Sequence, residues 1–406
     1  MNSSATSIQL PDLNQPLARN GDTRPLALII STLRCGGAER VTINLLRAAA
    51  EAGIPLDLLL AKAEGSLLSQ VPPQVRIIDF NVPRMRSAIP KIALYLRRER
   101  PRGVISHMTH VNIAMLIARR LACTTTPLVV VEHSRFSPLS AARKLHPWEQ
   151  QLARWLYPWA DNVVGVSTGV ARDVEHSLGL PPQRVRTIYN PIVDAHLLAR
   201  AEEPCPHPWL SREPWQSVDD RPVLLSVGQL GRPEKDHVTL LRAVAIVRRT
   251  RPVRLVIFGE GAERGQIEAL RRDLGLEADV DLPGSTDNPY AAMRQASLFV
   301  LSSRSEGLPT VLIEALACGC PTVSTTCPSG PTEILDGGRY GVLVPPENPE
   351  ALAAGILKNL DRLWNHDVLR HRGAEFSAIA SLEQYLAILN YPLSATGRGS
   401  MMRETP

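Results

Sequence analysis

The chain has 406 residues, of which 44% are hydrophobic, so it can form two or three globular domains that each bury a core. Its net charge of +5 suits an anionic ligand or an anionic membrane surface, whereas an aromatic content of only 4% argues against stacking on nucleic-acid bases, and no nucleic-acid partner is expected. No apolar run reaches the roughly 18 residues of a membrane span, and the polar start Met1-Asn2-Ser3-Ser4 does not resemble a signal peptide, which predicts a cytoplasmic protein.

The first predicted half is an α/β domain covering residues 25–198, after a polar tail up to residue 24 that we predict to be disordered. Residues 26–31 form an apolar run typical of a buried strand, Gly36-Gly37 predicts a turn, and residues 41–50 have helical apolar spacing. Further short strands are predicted at 104–106, 128–131 and 163–166. Because helical segments separate these strands, we expect a parallel sheet with helices on both faces.

The second predicted half repeats this alternation over residues 223–373. A linker is predicted at 199–222, because residues 202–222 hold five prolines without apolar periodicity. The predicted strands of the second half are 223–227, 255–258, 279–282, 298–301, 322–324 and 342–344. A helix is predicted within 374–392, before a flexible tail at 393–406. The sequence therefore predicts two Rossmann-like domains, and we expect ligand binding in the cleft between them.

The cysteines and histidines do not indicate a metal site. Six cysteines in 406 residues are too few for a disulfide framework, and Cys318-Gly319-Cys320 with Cys327 lacks zinc-ribbon spacing. The histidines are scattered without ligand spacing. We therefore expect ordinary buried thiols, and neither a metal nor another cofactor.

Two carboxylates, Glu306 and Glu314, lie eight positions apart. Glu306 follows the predicted strand 298–301, and Glu314 lies in a helix whose first turn Pro309 can start. Eight helical steps span about 12 Å, whereas the carboxylates of a glycosidase acid–base pair stand about 5 to 9.5 Å apart. The pair is therefore better suited to hold opposite ends of an elongated polyhydroxylated ligand, and a nucleotide sugar has that shape.

This block resembles the E-x7-E signature of retaining family 4 glycosyltransferases, whose GT-B fold has two Rossmann-like domains facing a central cleft. Other similar elements occur in the same order between about residues 26 and 389: Gly36-Gly37-Ala38-Glu39-Arg40, Val131-Glu132-His133, Val166-Ser167, Ile188-Tyr189-Asn190-Pro191, Ser226-Val227-Gly228, Glu234-Lys235-Asp236, Phe258-Gly259-Glu260-Gly261 and Gly330-Pro331-Thr332-Glu333-Ile334. The chain departs from the family at Gln229, where an arginine usually follows the glycine. Because one extra residue precedes Lys235, Arg232 is a candidate to replace the missing guanidinium.

The resemblance implies transfer of a hexosyl or N-acetylhexosaminyl group from a nucleoside diphosphate sugar to an acceptor hydroxyl, with retention at the anomeric carbon and without a metal. UDP is favoured over GDP by family frequency. The expected acceptor is a lipid-linked saccharide or another glycan precursor, and the C-terminal helix is expected to pack back across the lobes. Two alternatives stay open: a nucleotide-sugar epimerase of similar fold, and a catalytically silent nucleotide-sugar-binding subunit, which Gln229 motivates.

Phosphate binding is expected from Gly36, Gly37 and Lys235. Glycines before a helix let backbone N–H groups face an anion, and a lysine is a mobile cation that can stabilise the leaving diphosphate. Arg232 is expected to add charge there. The alternative roles are a structural turn and solvated loop residues.

The remaining candidates concern the sugar and the base. Glu314 is expected to accept hydrogen bonds from ribose hydroxyls, and Glu306 to face the transferred sugar with the loop Gly307-Leu308-Pro309. Further candidates that border the ligand are Gly259, Gly261, Leu282 and Gly284, the last two beside the nucleobase by analogy. His133, at the end of a predicted strand, is expected to orient substrate or stabilise charge, although a structural hydrogen-bonding role is the alternative. His107 and His110 are weaker candidates for the same cleft.

A basic segment at residues 84–102 suggests contact with anionic lipid. Seven arginines and lysines surround five apolar residues there, namely Ile89, Ile92, Leu94, Tyr95 and Leu96. A basic amphipathic helix can hold an enzyme reversibly against a membrane surface, whereas an ordinary solvated helix is the alternative. We therefore expect peripheral association with the inner face of the cytoplasmic membrane.

Overall fold

The computed structural model describes residues 24–34, 36–137, 147–211 and 221–391. The tail predicted from residue 393 lies outside these ranges, as do all but the last residue of the tail predicted at 1–24 and residues 212–220 of the predicted linker.

The first sheet has seven strands in the order β3-β2-β1-β4-β5-β6-β7. These strands are β1 (Leu26–Ile30), β2 (Leu56–Leu60), β3 (Val75–Asp79), β4 (Gly103–His107), β5 (Leu128–Glu132), β6 (Asn162–Gly165) and β7 (Val185–Thr187). The helices between them and after them are α1 (Gly37–Glu51), α2 (Met85–Glu99), α3 (Thr109–Ala122), α4 (Pro147–Leu156), α5 (Thr168–Leu178) and α6 (Ala195–Ala201). Every residue of β1, β2, β4 and β5 is buried, as expected for parallel strands covered on both faces.

The second sheet has six strands in the order β10-β9-β8-β11-β12-β13. These are β8 (Val223–Val227), β9 (Arg254–Phe258), β10 (Val280–Gly284), β11 (Leu298–Leu301), β12 (Thr322–Thr325) and β13 (Val342–Val344). The accompanying helices are α7 (His237–Arg248), α8 (Arg264–Asp273), α9 (Pro289–Gln295), α10 (Thr310–Ala317), α11 (Pro331–Ile334), α12 (Pro349–Leu360), α13 (His366–Ala374) and α14 (Ala378–Ile388). The predicted pair of parallel Rossmann-like sheets is confirmed.

By compactness the chain divides into two units. The first consists of Met1–Val131, Leu152–Val163 and Leu386–Pro406, and the second consists of Glu132–Gln151 and Val164–Tyr385, including the entire second sheet. The domain limits expected from the sequence stay predictions.

The described part of the predicted linker is fixed to the second sheet. His207 is buried and its Nε2 lies 2.9 Å from a carboxylate oxygen of Asp281 in β10. Arg254 of β9 stacks on Trp209, with 4.5 Å between the guanidinium carbon and the ring centroid. His207 and Trp209 therefore attach this part of the predicted linker to the second sheet.

Helix α2 uses most of its apolar residues inside the fold. Ile92, Tyr95 and Leu96 are buried, and the Tyr95 hydroxyl donates to Asp57 of β2 at 2.7 Å. Leu94 is the member of the five that lies exposed, at 47%. The side chains that the sequence offered for lipid contact are therefore largely committed to the core. Among the described residues, no helix is long and apolar enough to cross a bilayer.

Candidate active site

The site centres on an ion pair in the second unit between Lys235 and Glu306. Lys235 ends a short 3-10 turn, Pro233–Lys235, in the loop after β8, and Glu306 lies in the loop after β11. The Nζ of Lys235 donates to Oε1 of Glu306 at 2.7 Å. Because β8 and β11 are neighbouring parallel strands, their following loops meet at the same edge of the sheet.

Two serines after β11 hold the pair in place. Ser303 donates its hydroxyl to the same Glu306 oxygen at 2.8 Å, and Ser302 donates to the backbone carbonyl of Lys235 at 2.8 Å. Neither serine was among the site residues predicted from the sequence. Their position directly after a predicted strand was the available signal.

The ion pair is largely buried but keeps some contact with solvent. The side chains are 21% exposed for Lys235 and 11% for Glu306. Burial, and after it the charge of Glu306, raises the pKa of the nearby Cys327 thiol to about 12. Cys327 therefore stays a neutral thiol, and Glu306 keeps Lys235 as its charged partner.

The loop that carries Glu306 is fixed at Gly307. A Cβ at this position would lie 2.0 Å from the backbone oxygen of His133, so only glycine allows the approach. The Gly307 carbonyl accepts from the Ser167 hydroxyl at 2.8 Å. The structure thus brings together three elements noted separately in the sequence: residues 131–133, residues 166–167 and the Glu306 loop.

His133 is predominantly neutral at physiological pH. Although part of its side chain is accessible to solvent, desolvation lowers its pKa from 6.5 to about 4. A neutral imidazole can donate one hydrogen bond and accept another, which agrees with an orienting role better than with a fixed positive charge.

Glu333, in the element Gly330-Pro331-Thr332-Glu333-Ile334, has a structural role that the sequence did not predict. Its oxygens accept from the backbone N–H groups of Thr168 at 2.8 Å and Gly169 at 3.0 Å, and from the Tyr189 hydroxyl at 3.2 Å. A carboxylate at the N-terminus of α5 satisfies unpaired N–H groups and complements the helix dipole. This contact fixes α11 against α5.

Arg232 lies directly beside Gln229. Its Nε donates to the Gln229 side-chain oxygen at 2.6 Å, while one terminal nitrogen lies 3.5 Å from the buried Glu234. The side chain is 52% exposed, so its guanidinium is accessible. The structure therefore puts a guanidinium next to the position where the sequence has glutamine.

Gly259 and Gly261 allow two loops to touch. A Cβ on Gly259 would lie 1.9 Å from the Gly228 carbonyl, and one on Gly261 would lie 2.2 Å from the Gly231 nitrogen. The loops after β8 and β9 therefore contact each other through backbone alone, which fixes the segment leading to Lys235. Their predicted contact with a ligand stays a prediction.

The two candidates for the nucleobase differ in their exposure. Leu282 is only 4% exposed and belongs to the core of the second sheet, so only its backbone can border a ligand. Gly284 has φ of 95°, and a Cβ there would lie 2.9 Å from a carboxylate oxygen of Glu260. The Glu260 carboxylate thus covers Gly284.

Glu314 and the proline before it form a compact helix start. Pro309 is the N-cap of α10 rather than its first helical residue, and Glu314 lies in the second turn with 3% exposure. Leu308 is buried as well. A carboxylate buried this deeply must be hydrogen-bonded, and ribose hydroxyls remain its predicted partners.

Gly36 and Gly37 begin α1 in the first unit. Gly36 is the N-cap, and a Cβ there would lie 2.3 Å from a Glu39 carboxylate oxygen. Nothing lies within 4 Å of a Cβ on Gly37. The Glu39 carboxylate therefore lies close to the N-terminus of α1, and the role of Gly36 and Gly37 at a diphosphate stays a prediction.

The sequence contains one Asp-x-Asp triplet, Asp279-Val280-Asp281 at the start of β10, but its carboxylates are engaged. Asp279 accepts from Arg221 at 2.5 Å and from Arg248 at 2.7 Å, and Asp281 lies 2.9 Å from the His207 ring nitrogen. In the part of the chain that the structure describes, no cluster of three or more metal-ligating side chains is found.

Two family models match the chain, one on each half. The model described as Glycosyltransferase Family 4 matches residues 35–196, and the model described as Glycosyl transferases group 1 matches residues 209–369. Together they account for most of the chain.

Similar proteins span nearly the whole chain. The N-acetylgalactosamine-N,N'-diacetylbacillosaminyl-diphospho-undecaprenol 4-alpha-N-acetylgalactosaminyltransferase of Campylobacter jejuni is 29% identical over 346 residues, which cover 83% of this chain and 90% of that protein. A glycosyltransferase from Rickettsia africae has a similar fold, with a TM-score of 0.77, 16% identity and coverage of 91% of this chain and 98% of that one. The Anabaena protein HepE in complex with UDP matches with a TM-score of 0.72, 19% identity and coverage of 91% and 100%.

Proposed function

Because this chain belongs to the glycosyltransferases, we propose that it transfers a hexosyl or N-acetylhexosaminyl group from a nucleoside diphosphate sugar to an acceptor hydroxyl with retention at the anomeric carbon. The observation that carries the proposal is the Lys235–Glu306 pair at the carboxyl edge of the second sheet. A lysine held on a partly shielded carboxylate is a cation ready to move to a stronger anion. A diphosphate supplies that anion.

The chemistry requires charge stabilisation rather than a protein nucleophile. As the bond between sugar and phosphate breaks, negative charge grows on the leaving oxygen, and that oxygen can take the proton of the acceptor hydroxyl. Lys235 and the accessible guanidinium of Arg232 stabilise this charge, and such preorganised electrostatics are commonly the largest catalytic contribution. Glu306, released from Lys235, becomes free to accept hydrogen bonds from hydroxyls of the transferred sugar.

The donor and acceptor classes that we propose are based on the ligands of similar proteins. HepE is described in complex with UDP, which favours a UDP-sugar over a GDP-sugar. The name of the Campylobacter jejuni relative contains a saccharide on diphospho-undecaprenol. We therefore propose a lipid-linked saccharide as the acceptor, reached at the cytoplasmic face of a membrane.

A catalytically silent nucleotide-sugar-binding subunit is the second candidate. Gln229, in place of the arginine that family resemblance leads one to expect, motivates it. The hydrogen bond between Arg232 and Gln229 favours the active enzyme, because it brings a guanidinium to the same loop position.

Turnover separates these functions. Purified protein is incubated with individual UDP- and GDP-sugars and membrane extract, and nucleotide release, labelled glycolipid and the anomeric configuration of the product are measured. Release of UDP with an α-linked product from an α-linked donor supports the proposal. Interconversion of sugars that stay attached to nucleotide indicates an epimerase, and binding without any turnover indicates the silent subunit.

A further inference from the structure

The loop that follows β5 and carries His133 is held by a carboxylate outside the candidate active site. Asp173 of α5 accepts hydrogen bonds from the backbone N–H groups of Phe136 at 2.5 Å and Ser137 at 3.2 Å, both through Oδ2. Its other oxygen, Oδ1, accepts from the Nε of Arg135 at 3.2 Å. Three consecutive residues of the loop therefore converge on a single side chain.

The environment of Asp173 leaves this loop little conformational freedom. The side chains are only 4% exposed for Asp173 and 19% exposed for Arg135. A carboxylate buried to this extent needs hydrogen bonds and an opposite charge, because both compensate for its lost hydration. A loop conformation that moved the two N–H groups and the guanidinium away would leave a buried charge without compensation, so the observed conformation is strongly favoured.

The same loop is also fixed at His133 itself. The backbone oxygen of His133 approaches Gly307 so closely that a Cβ on the glycine would lie 2.0 Å from it. The contacts with Asp173 follow two to four residues later in the chain. His133 is therefore held at its own carbonyl on one side and through the Asp173 contacts on the other.

Helix α5 takes part in both of these contacts. Ser167, its N-cap, donates its hydroxyl to the Gly307 carbonyl at 2.8 Å, and Asp173 is the sixth residue of the helix. About 9 Å of helix separate the two, at a rise of about 1.5 Å per residue. The first two N–H groups of α5 are bound by Glu333. One anchored helix therefore sets the position of the His133 loop relative to the Glu306 loop.

The position of His133 matters because of the way a neutral imidazole acts. Desolvation lowers the pKa of His133 to about 4, so near neutral pH its ring donates through one nitrogen and accepts through the other. Such hydrogen bonds require that each ring nitrogen points at its partner. A displacement of about 1 Å at a catalytic group can cost about a hundredfold in rate.

We propose that Asp173 is a positioning residue of the transfer reaction, which acts through His133 by holding its loop on α5. The inference rests on the proposed function, because the role of His133 at the substrate comes from there. Loss of Asp173 should lower kcat rather than nucleotide affinity, since Lys235 and Glu314 keep their places in the second sheet domain.

A role for Asp173 in stability alone is the alternative, and the same helix offers a matched control. Glu175 of α5 also accepts a backbone N–H, that of Val185 at 3.0 Å. Val185 is the first residue of β7, so this contact fixes the start of a strand and not a loop that carries a candidate catalytic residue. Glu175→Gln therefore weakens an anchor of α5 without involving His133.

Steady-state kinetics and calorimetry with UDP test the proposal on the full chain. Asp173→Ala removes all three contacts. Asp173→Asn keeps one oxygen for the backbone N–H groups and loses the charge that pairs with Arg135. Each substitution is also made in the His133→Ala background, and urea unfolding is measured for every variant.

Asp173→Ala should lower kcat by about tenfold to a hundredfold, while its affinity for UDP stays within about twofold of wild type. Asp173→Asn should recover part of the lost kcat, and Glu175→Gln should keep the wild-type value. In the His133→Ala background the same substitutions at Asp173 should change kcat by less than about twofold, because the residue through which Asp173 acts is already absent.

An equal loss of kcat with and without His133 would overturn the proposal and assign Asp173 to stability alone. Wild-type kcat in folded Asp173→Ala and Asp173→Asn would overturn it as well. If Asp173→Ala does not fold, Asp173→Asn in the two backgrounds provides the same comparison.

NMR of isotope-labelled histidine separates the positioning role from the proposed function. The His133 imidazole signal is assigned by its absence in His133→Ala. It should shift in Asp173→Ala and Asp173→Asn and stay in place in Glu175→Gln. If wild type transfers no sugar from any nucleotide sugar, the proposed function fails, and an unshifted His133 signal in both Asp173 variants would then overturn the positioning role too. If transfer occurs and the losses are additive, the positioning role fails alone.

Discussion

At the scale of single residues, Lys235 has two possible partners. It lies on Glu306 in the structure, and a bound diphosphate would compete for it with at least two negative charges. The ion pair therefore holds the Lys235 side chain in a defined position, from which it can move to a bound diphosphate. The ion pair explains how Lys235 can be partly buried without a ligand, since an uncompensated buried charge would be costly.

Replacing Lys235 should impair catalysis more than binding. In Lys235→Ala we expect nucleoside diphosphate affinity to fall by about 1.5 to 3 kcal/mol, the range of a charge-assisted hydrogen bond, and kcat to fall further because phosphate charge grows during bond cleavage. Calorimetry with UDP and initial-rate kinetics provide the two measurements. Lys358→Ala, an exposed lysine on α12, is the matched control. Near-wild-type transfer by folded Lys235→Ala would remove the assigned role.

The two glutamates should separate by the part of the donor they bind. Glu314→Ala should weaken binding of the bare nucleoside diphosphate as well as the nucleotide sugar, because its predicted partner is the ribose. Glu306→Ala should weaken only the nucleotide sugar, and its affinity for the bare diphosphate should hold or rise, since Lys235 is then released from its ion pair. Calorimetric titration of both variants with both ligands measures the difference. The same loss for both ligands in both variants contradicts the division.

An arginine at position 229 should be able to take over the role of Arg232. Arg232→Gln should reduce kcat/KM by about one to two orders of magnitude if its guanidinium stabilises the leaving phosphate, an effect of about 1.5 to 3 kcal/mol. Adding Gln229→Arg to that variant should restore a large part of the loss, because the two side chains touch at 2.6 Å. Steady-state kinetics of the single and double variants decide the matter. Full activity of Arg232→Gln would assign Arg232 to the protein surface instead.

At the scale of elements, two pairs of loops contact each other through backbone approaches that require glycine: the loop after β8 with the loop after β9, and the loop after β11 with the loop after β5. The approach of Gly259 to Gly228 and of Gly307 to His133 leaves no room for a side chain. Such contacts fix the loops without relying on flexible side chains, which suits a site whose charges must keep their positions.

A methyl group at Gly307 should therefore disturb both stability and activity. In Gly307→Ala the new Cβ would lie 2.0 Å from a backbone oxygen, so the Glu306 loop must shift, at a cost of about 1 to 3 kcal/mol. Gly265→Ala is the control, because nothing lies within 4 Å of its Cβ and an alanine in helix α8 should stabilise the protein by about 0.5 to 1 kcal/mol. Urea unfolding and nucleotide-release assays measure both effects. Unchanged stability and turnover in Gly307→Ala would show that the loop is not constrained there.

The elements that the sequence predicted are those with uninterrupted apolar runs. The predicted strands at 26–31 and 223–227 correspond to β1 and β8 and are almost entirely buried. Strands β2 and β3 were missed because each carries charge: Asp57 is completely buried in β2 and accepts two hydrogen bonds from Arg76 of β3. In the sequence alone, a charged residue that is buried with a partner cannot be distinguished from a charged residue in a loop. Strand β7 was missed because its sequence Val-Arg-Thr contains no apolar run, whereas β13, equally short, is Val-Leu-Val.

The sequence predicted which residues belong to the candidate site, but it did not predict which of them contact each other. Lys235 and Glu306 were each selected, yet they lie 71 positions apart and meet only because β11 pairs with β8 across a crossover. The role of Glu333 was not predicted, since its partners at the start of α5 lie more than 160 positions away. Strand order made the difference for Lys235 and Glu306, and the packing of α11 against α5 made it for Glu333, and local sequence encodes neither.

At the scale of the whole molecule, two neutral histidines should make the protein sensitive to acid. Burial, followed by the positive charge of Lys235, lowers the pKa of His237 to about 4, and desolvation lowers that of His133 to about 4 as well. In the unfolded chain both histidines titrate near 6.5. Between these values the unfolded state binds more protons than the folded state, so stability must fall as the pH decreases from about 6.5 and the loss must be complete below about 4.

The buried His237 should contribute most of this acid sensitivity, because it is only 4% exposed whereas His133 is partly accessible to solvent. Its full contribution is at most about 3 kcal/mol, and roughly half of that should be lost by pH 5. Urea unfolding between about pH 7.5 and pH 5 should therefore show a smaller decrease in unfolding free energy for His237→Gln than for wild type, even if the variant is less stable at neutral pH. His371→Gln, at an exposed position on α13, should keep the wild-type dependence. Parallel curves for wild type and His237→Gln would mean that His237 is protonated equally in the folded and unfolded chains, and that the acid limb of stability arises elsewhere.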